Sequence, residues 1–208
     1  NGGVLASNGD IHFVPFGASR GQKININGVV STYSLVYTTK LYSGGVLAIN
    51  GDIHFVPNTS DIGQKVSSSG VVSTYSLVNT SGGYFGGVLA PNGDVHFISS
   101  GSSSIGQKVS SAGTVSTYSL AYAVLAGYIG GVLAVNGDIH CVPYGARVGQ
   151  KINVNGVVST YSLVYTVSNA YGGGVLAPNG DVHFIPRTAA VGQKVSANGV
   201  VSTYSLAY

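Results

Sequence analysis

The amino-acid sequence predicts an all-β protein, a five-bladed β-propeller with four antiparallel strands per blade. Three observations predict this fold: a repeat of 42 to 44 residues, two turn signals within each repeat, and short runs rich in β-branched residues between the turns. The string Gly-Val-Leu-Ala begins at Gly3, Gly45, Gly87, Gly131 and Gly174, so the repeat occurs five times in the 208 residues. A repeat of roughly 40 residues built from short strands is typical of propeller blades.

The composition excludes several other classes of protein. Glycine supplies 32 of the 208 residues, but without the period of three that collagen requires. With 44% hydrophobic residues and a net charge of only +3, the chain is not expected to be disordered. No apolar run approaches the ~18 residues of a membrane span, so we expect no membrane insertion. The single cysteine, Cys141, excludes an internal disulfide framework.

The first repeat shows where the strands lie. Four strands are predicted at about 3–6, 10–15, 22–26 and 29–36, because these runs are short and bounded by turn residues. Asn8-Gly9 joins the first strand to the second, and Asn27-Gly28 joins the third to the fourth. Asn-Gly favours a type I′ hairpin turn, in which both central residues have positive φ.

The repeats together predict a single domain over residues 1–208. The predicted blades are about 2–43, 44–85, 86–129, 130–172 and 173–208. The first strand of each blade is expected at the central axis, because its paired glycines let neighbouring backbones approach closely. Every repeat is whole, so a closed ring would require blade five to pack on blade one. The alternatives are a longer array of blades, or a protomer whose ends pair with a neighbour.

Two polar residues recur after the first turn of every repeat, two positions apart and therefore on the same face of a strand. They are Asp10 and His12, Asp52 and His54, Asp94 and His96, Asp138 and His140, and Asp181 and His183. Because one copy lies in each blade, the copies are held apart, and we expect no metal, no cofactor and no catalytic residue among them. We predict a structural network in which Asp accepts backbone N–H bonds at its turn and His is a buried, hydrogen-bonded group.

A lysine follows the network in each repeat, within the string Gly-Gln-Lys. These lysines are Lys23, Lys65, Lys108, Lys151 and Lys194. We expect them to pair with carboxylates or to be solvated at the blade rim. Since the repeated lysines are matched by repeated aspartates and the net charge is only +3, we expect no nucleic-acid partner.

Aromatic and basic residues cluster in the variable connections of the predicted propeller. A tyrosine lies three residues before Gly-Val-Leu-Ala in four repeats, in the connection between blades, which emerges on the same side as the loop between the second and third strands. We call this side the loop face, and the side with the hairpin turns the turn face. The candidate ligand-binding residues on the loop face are Tyr42, Tyr84, Tyr128, Tyr171, Arg20, Tyr144, Arg147 and Arg187. Their arrangement predicts shallow grooves between blades on which a sugar ring can stack.

The segments 86–93 and 173–180 both read Gly-Gly-Val-Leu-Ala-Pro-Asn-Gly. In this motif the chain resembles highly repetitive β-propellers whose blades are near-identical. In blade count and blade size it is similar to the five-bladed lectins of the tachylectin type. The resemblance implies a propeller fold and gives no activity, and lectins are one known use of repeated blade sites.

The motifs of common enzymes are missing: the chain has no Glu, no paired carboxylates, no Gly-x-Ser-x-Gly and no Cys-x-x-Cys. We therefore expect no enzymatic activity. The predicted function is a binding module, for glycans, through the inter-blade grooves of the loop face. The alternative is a structural or assembly protein that self-associates, as a unit of a fibre, surface layer or virion, or an engineered repeat scaffold. An extracellular or surface-associated location is favoured, where the sequons at Asn58 and Asn79 would become relevant.

Overall fold

A computed structural model describes residues 2–39, 41–81, 83–101 and 103–207, so the first and last residues of the predicted domain lie outside the described residues. Within these residues, twenty strands form five four-stranded antiparallel sheets, and in each sheet the strands are neighbours in chain order. The all-β class and the five four-stranded blades are therefore confirmed. Within the described ranges, no helix is long and apolar enough to cross a membrane.

The strands of the five blades are as follows. Blade one contains β1 (Gly3–Leu5), β2 (Ile11–Phe13), β3 (Arg20–Ile24) and β4 (Val30–Ser34). Blade two contains β5 (Tyr42–Leu47), β6 (Ile53–Pro57), β7 (Ile62–Val66) and β8 (Val72–Ser76). Blade three contains β9 (Tyr84–Leu89), β10 (Val95–Ser99), β11 (Ile105–Val109) and β12 (Val115–Ser119). Blade four contains β13 (Tyr128–Leu133), β14 (Ile139–Pro143), β15 (Val148–Ile152) and β16 (Val158–Ser162). Blade five contains β17 (Tyr171–Leu176), β18 (Val182–Pro186), β19 (Val191–Val195) and β20 (Val201–Ser205).

The hairpin turns differ from the predicted type I′ geometry. In the first turn Gly9 has φ +86°, whereas Asn8 is not among the residues with positive φ. The Gly9 N–H donates to the Ala6 carbonyl and the Ala6 N–H donates to the Asp10 carbonyl. This is a three-residue loop, a type I turn followed by a left-handed glycine. The second turn has the same geometry, with the Gly28 N–H donating to the Asn25 carbonyl. It requires only the glycine, which explains why Ser69 and Ala112 replace the asparagine of the second turn in other repeats.

The inner strands of blades two to five begin earlier than the sequence suggested. Each starts at the tyrosine that was predicted to lie in the connection; Tyr42, for example, pairs with Pro57 across a register shift that precedes Gly45. The sheet therefore includes residues that we had placed between blades. The glycines that follow allow the backbones to converge: a Cβ on Gly86 would lie 2.9 Å from the Gly130 Cα.

The hydrophobic core is divided among four clusters, each lying between two consecutive blades. Between blades two and three, Val46 and Val56 of one sheet pack with Phe97 and Val109 of the next. Each blade thus has a leading face, which covers the following blade, and a trailing face, which is covered by the preceding blade. Burying one such side chain stabilises the fold by about 1.5–3 kcal/mol, so the stability resides mainly between sheets.

The series of interfaces is not closed, because blade five does not cover blade one. Phe13 on the trailing face of blade one is 40% exposed, whereas Phe97 at the same position of blade three is completely buried. On the leading face of blade five, Ile185 is 51% exposed, whereas the equivalent Ile98 is 2% exposed. The five blades therefore form an open arc with one uncovered sheet face at each end.

A buried glutamine links each pair of neighbouring blades. The Gln107 side-chain Oε1 accepts hydrogen bonds from the backbone N–H groups of Val78 (2.9 Å) and Asn79 (2.8 Å), just beyond the outer strand of the preceding blade. Gln64 and Gln193 each accept two equivalent bonds, and Gln150 accepts one from Tyr122. Gln22 has no preceding blade beside it and is exposed.

We expect Gln107→Leu to lower the free energy of unfolding by about 1–3 kcal/mol, because it leaves two backbone N–H groups without their acceptor. The matched control is Gln22→Leu, which changes the same residue of the repeat where it is exposed, and should have almost no effect. Urea unfolding followed by circular dichroism measures both. Equal effects of the two substitutions would contradict the inter-blade role of the glutamine.

Candidate functional site

The repeated aspartates form ion pairs with the repeated lysines near the turn face. The Lys Nζ to Asp Oδ2 distances lie between 2.5 and 2.7 Å in all five blades. The pairs are Lys23–Asp10, Lys65–Asp52, Lys108–Asp94, Lys151–Asp138 and Lys194–Asp181. The lysine is within reach because it lies on the third strand directly opposite the histidine, as in the His96–Lys108 pair.

The prediction that these aspartates accept backbone N–H bonds at their own turns is corrected by this geometry. The backbone N–H of Asp94 instead donates to the Asn92 side-chain oxygen at 3.1 Å. The carboxylate is then left for the lysine and, where the geometry allows, for the asparagine amide nitrogen. Among the described residues, a backbone donor to the carboxylate occurs only in blade five, where the N–H of Ala197 donates to Asp181 at 3.2 Å.

Each repeated histidine contacts a tyrosine of the outer strand. The His Nδ1 to Tyr Oη distances lie between 3.0 and 3.3 Å. The pairs are His12–Tyr33, His54–Tyr75, His96–Tyr118, His140–Tyr161 and His183–Tyr204. The tyrosine ring crosses the third strand over a glycine: a Cβ on Gly106 would lie 2.3 Å from Tyr118 Cε2. The glycine of Gly-Gln-Lys therefore makes room for the ring, a role that the sequence analysis missed.

Burial keeps the histidines of blades two, three and four neutral near pH 7. Burial, reinforced by the positive charge of the neighbouring lysine, lowers the pKa of His54, His96 and His140 to about 4. Burial also raises the pKa of Tyr33, the tyrosine that pairs with His12 in blade one, to about 12. Neutral imidazole and neutral phenol match each other as a hydrogen-bonded pair. In the described part of the chain, no three His, Cys, Asp or Glu side chains come together as metal ligands.

Small polar cavities adjoin this network between blades. One of about 110 Å³ lies between blades one and two, beside His12 and Lys23, and is closed by the second hairpin turn of blade two. An equivalent cavity of about 90 Å³ lies between blades three and four, beside His96 and Lys108. Since one water occupies about 30 Å³ of liquid, each cavity has room for a few waters.

The four candidate tyrosines before Gly-Val-Leu-Ala are buried, which corrects their prediction as an exposed binding surface. Tyr42, Tyr84, Tyr128 and Tyr171 are at most 2% exposed, and three of the rings pack on a phenylalanine of the second strand. In blade four the phenylalanine is replaced by Cys141, which is buried in the same core cluster as Tyr128. Because these rings fill the space between blades, no sugar ring can stack on them.

The hydroxyl groups of Tyr42, Tyr84 and Tyr128 are also hydrogen-bonded within the fold. Tyr42 donates to the Ile62 carbonyl at 3.0 Å, and Tyr128 donates to the Val148 carbonyl at 2.9 Å. Tyr84 accepts a bond of 2.9 Å from the Asn79 amide nitrogen, so this sequon side chain is engaged in the structure. Tyr42 and Tyr128 thus connect the inner strand to the start of the third strand of the same blade, and Tyr84 connects it to the preceding inter-blade connection.

The candidate arginines are distributed over different surfaces. Arg20 begins β3 on the trailing face of blade one, and Arg147 is exposed in the loop between β14 and β15. Arg187 lies between β18 and β19 and lines a larger concavity on the loop face together with Tyr144. The structure therefore brings two of the eight predicted binding residues into one open site.

We call this concavity the cup. It has a volume of about 490 Å³ and spans blades three, four and five. Its lining residues are Phe85, Ser100, Ala126, Ile129, Tyr144, Gly172 and Arg187. Three of them, Phe85, Ile129 and Gly172, directly follow the buried tyrosines of their inner strands. The sequence analysis missed these three residues. The residue that follows the tyrosine differs in each of these blades and is Ser43 in blade two, and this variation was the signal available.

Arg187 and Tyr144 form the polar side of the cup. The guanidinium carbon lies 5.1 Å from the centre of the Tyr144 ring, and Nη1 donates to the Tyr144 hydroxyl. This contact joins blade five to blade four. A guanidinium held over an aromatic ring retains other N–H donors for a ligand.

Backbone hydrogen bonds fix the wall of the cup. Ala126 has φ +54°, a left-handed conformation that is unfavourable for alanine by roughly 1–2 kcal/mol. Its N–H donates to the Ser100 carbonyl at 2.6 Å, and its carbonyl accepts from the Gly145 N–H at 2.8 Å. The connection between blades three and four is therefore tied to the loops on both sides of it.

The fold of this chain is shared with solved structures of enzymes and of binding proteins. Virginiamycin B lyase from Staphylococcus aureus, solved as a catalytically inactive variant with quinupristin, has a TM-score of 0.86 at 15% identity over 100% of this chain and 70% of the lyase chain. A streptogramin B lyase structure has a TM-score of 0.84 at 20% identity, covering 99% of this chain and 68% of that chain. An auxiliary nutrient-binding protein from Bacteroides ovatus has a TM-score of 0.68 at 16% identity, covering 98% and 56%. No protein-family model and no curated protein matches the sequence.

The lyases correct the expectation that this chain has no enzymatic activity. That expectation was drawn from missing motifs of hydrolases and redox enzymes, yet the same arrangement of blades occurs in lyases. At these identities the likeness concerns the fold. Missing motifs therefore do not exclude catalysis for a chain with this architecture.

The buried histidines predict how stability depends on pH. Because their pKa is about 4 in the folded chain and about 6.5 in an unfolded one, the unfolded chain binds more protons between these values. Stability is then greatest above about pH 6.5 and falls as the pH is lowered towards 4, by up to about 1.4 kcal/mol per pH unit for each histidine.

Urea unfolding at several pH values between 4 and 7 measures this slope. His96→Gln should reduce the slope of the free energy of unfolding against pH by the contribution of one histidine, up to about 1.4 kcal/mol per pH unit. A free energy of unfolding that is constant over this range would contradict the burial of the neutral imidazoles.

Proposed function

We propose that this protein is a binding module whose cup on the loop face takes carbohydrates that carry an acidic group. The observation that supports this most directly is Arg187, which is exposed and held against the Tyr144 ring and hydroxyl at the cup. A guanidinium binds a carboxylate through two parallel hydrogen bonds. An arginine already oriented by an aromatic ring loses little freedom when it does so.

The size and the remaining lining of the cup suit a ring-shaped ligand. Its volume of about 490 Å³ lies within the range of roughly 300–1,000 Å³ found for small-molecule sites. Phe85 is 44% exposed and offers a ring on which the apolar face of a sugar can stack. Ser100 supplies a hydroxyl on the same wall. The proposed site thus lies on the loop face, as expected from the sequence, but on the inner strands and not in the grooves between blades.

The neighbouring structures support a binding function at the level of the fold. The auxiliary nutrient-binding protein from Bacteroides ovatus shares the arrangement of blades, and so does one from Bacteroides thetaiotaomicron with a TM-score of 0.64. The choice of an acidic carbohydrate depends on the cup of this chain and not on these proteins.

A second candidate function is a lyase reaction, which the similarity over the full length of this chain to a lyase solved with quinupristin favours. The same cup is the place to test it. Incubation with quinupristin followed by chromatography and mass spectrometry detects conversion. Conversion by the unaltered chain that is lost in Arg187→Ala would support this candidate over simple binding.

We expect the chain to bind uronic-acid oligosaccharides more tightly than neutral oligosaccharides of the same length. Arg187→Ala should weaken this binding at least tenfold, because one charge-assisted hydrogen bond is worth about 1.5–3 kcal/mol. Titration calorimetry measures the Kd, and thermal unfolding checks that the fold is retained.

The control is Arg147→Ala, which removes the same charge from the loop face at a residue that does not line the cup. It should leave the Kd unchanged. If both substitutions weaken binding equally, the interaction depends on net charge and the cup is not the site. If the unaltered chain binds no member of the set, the proposed ligand class is wrong.

A further inference from the structure

The two uncovered faces of the arc correspond to the two halves of one inter-blade interface. On blade one, Ile11, Phe13 and Gln22 are exposed. On blade five, Val175 is 52% exposed and Ile185 is 51% exposed. No other pair of sheet faces in the described residues is left uncovered in this way, because the four clusters of core residues fill the four junctions between consecutive blades.

The repeat shows what each face is built to contact. Ile53 and Phe55 of blade two occupy the positions of Ile11 and Phe13, and they pack on Val4 and Val14 of the preceding blade. Val4 and Val14 are in turn the counterparts of Val175 and Ile185 in blade five. The partner of the blade-one face must therefore present two aliphatic side chains at this spacing.

A second requirement comes from the exposed glutamine. Gln64, the counterpart of Gln22, accepts hydrogen bonds from two consecutive backbone N–H groups that follow the outer strand of the preceding blade. A partner for blade one that also satisfies Gln22 must offer such a pair of N–H groups beside its aliphatic side chains. A further blade of this repeat has both features.

Arg20 does not obstruct such a partner. It occupies the position of Ile62, Ile105, Val148 and Val191, which are only half-buried or exposed in the filled interfaces. The charge therefore lies at the loop-face margin of the interface and not at its apolar centre. Its guanidinium can stay in water when the face is covered.

The length of a solved structure with the same fold indicates how many blades the gap holds. This chain superimposes over its whole length on the Staphylococcus aureus lyase and covers 70% of it. The remaining 30% of that chain corresponds to about two more blades of the present length. A space of about 660 Å³ in front of blade one, lined by Leu5, Ile11, Phe13 and Gln22 among others, forms one side of this gap. A second complete copy, with five blades, is too large for it.

We propose that the gap between blade five and blade one is a docking site for a pair of further blades of this same repeat, which close the arc into a ring. One of the two covers the leading face of blade five. The other covers the trailing face of blade one and supplies backbone N–H groups to Gln22. Both junctions repeat the contacts of the four existing ones.

The test is an extended chain, in which residues 80–165 follow residue 208 and so append the connection and two internal blades. We expect this chain to be a monomer that unfolds in one transition at a higher temperature than the 208-residue chain. It should also bind less of a dye that reports exposed apolar surface. An extended chain with the same Tm and dye binding as the 208-residue chain would overturn the proposal.

Matched substitutions locate the effect. Ile185→Asp should leave the Tm of the 208-residue chain nearly unchanged, but should lower the folding equilibrium constant of the extended chain at least tenfold. Ile98→Asp, at the same position of blade three, is the control and should destabilise both chains. If Ile185→Asp leaves the stability of both chains unchanged, the appended blades do not cover blade five and the proposal fails.

The 208-residue chain alone gives a second test, which does not depend on folding of the extended chain. Light scattering of the unaltered chain should show a monomer, with Ile185→Asp and Phe13→Asp as stable as the unaltered chain. Strong destabilisation of this monomer by either substitution would mean that blade five already covers blade one. An oligomer that Ile185→Asp dissociates would mean that the faces take a second copy of the chain. Either result would overturn the proposal.

Discussion

The structure depends on packing between blades, because no blade can bury its own hydrophobic residues. A four-stranded sheet of this size has two faces and no interior, and the phenylalanines and valines are covered only by the next sheet. The tyrosine that begins an inner strand, the glutamine of the third strand and the glycines at the axis all act at these junctions. Most of the invariant positions of the repeat thus maintain one contact surface. What varies between repeats is found mainly on the loop face, where the cup lies.

The polar residues of the repeat also depend on packing between blades. The histidine and tyrosine face the following blade, where burial excludes the charged form of either group. The aspartate lies two residues nearer the hairpin turn than the histidine, and its lysine partner keeps partial access to water, so an ion pair is tolerated there. In blade five, where no following blade covers it, His183 is only partly buried. This contrast indicates that burial of the histidine is supplied by the neighbour and not by its own sheet.

The sequence predicted the blade count and the strand positions because both are repeated five times and bounded by glycine turns. The four tyrosines were misjudged for a physical reason: their position relative to Gly-Val-Leu-Ala does not reveal that a register shift brings them into the inner strand. The hairpin type was missed because Asn-Gly serves both a two-residue turn and a three-residue turn. Arg187 and Tyr144 were recognised as candidates, but their contact spans two blades separated by 43 positions in sequence. The packing of blade five on blade four, which no local pattern encodes, brings these equivalent positions of the repeat together.

The recurrence of one junction also bears on how such chains change their length. When a unit of about 42 residues is duplicated or deleted within the array, the sheets on either side of the event meet through contacts that already exist. Genetic recombination between near-identical segments can therefore alter the number of sheets without requiring a new set of complementary side chains. An insertion of any other length would disturb the pairing of the leading face of one blade with the trailing face of the next. One repeat is therefore both the segment that recombination duplicates or deletes and the segment that packs against its neighbours.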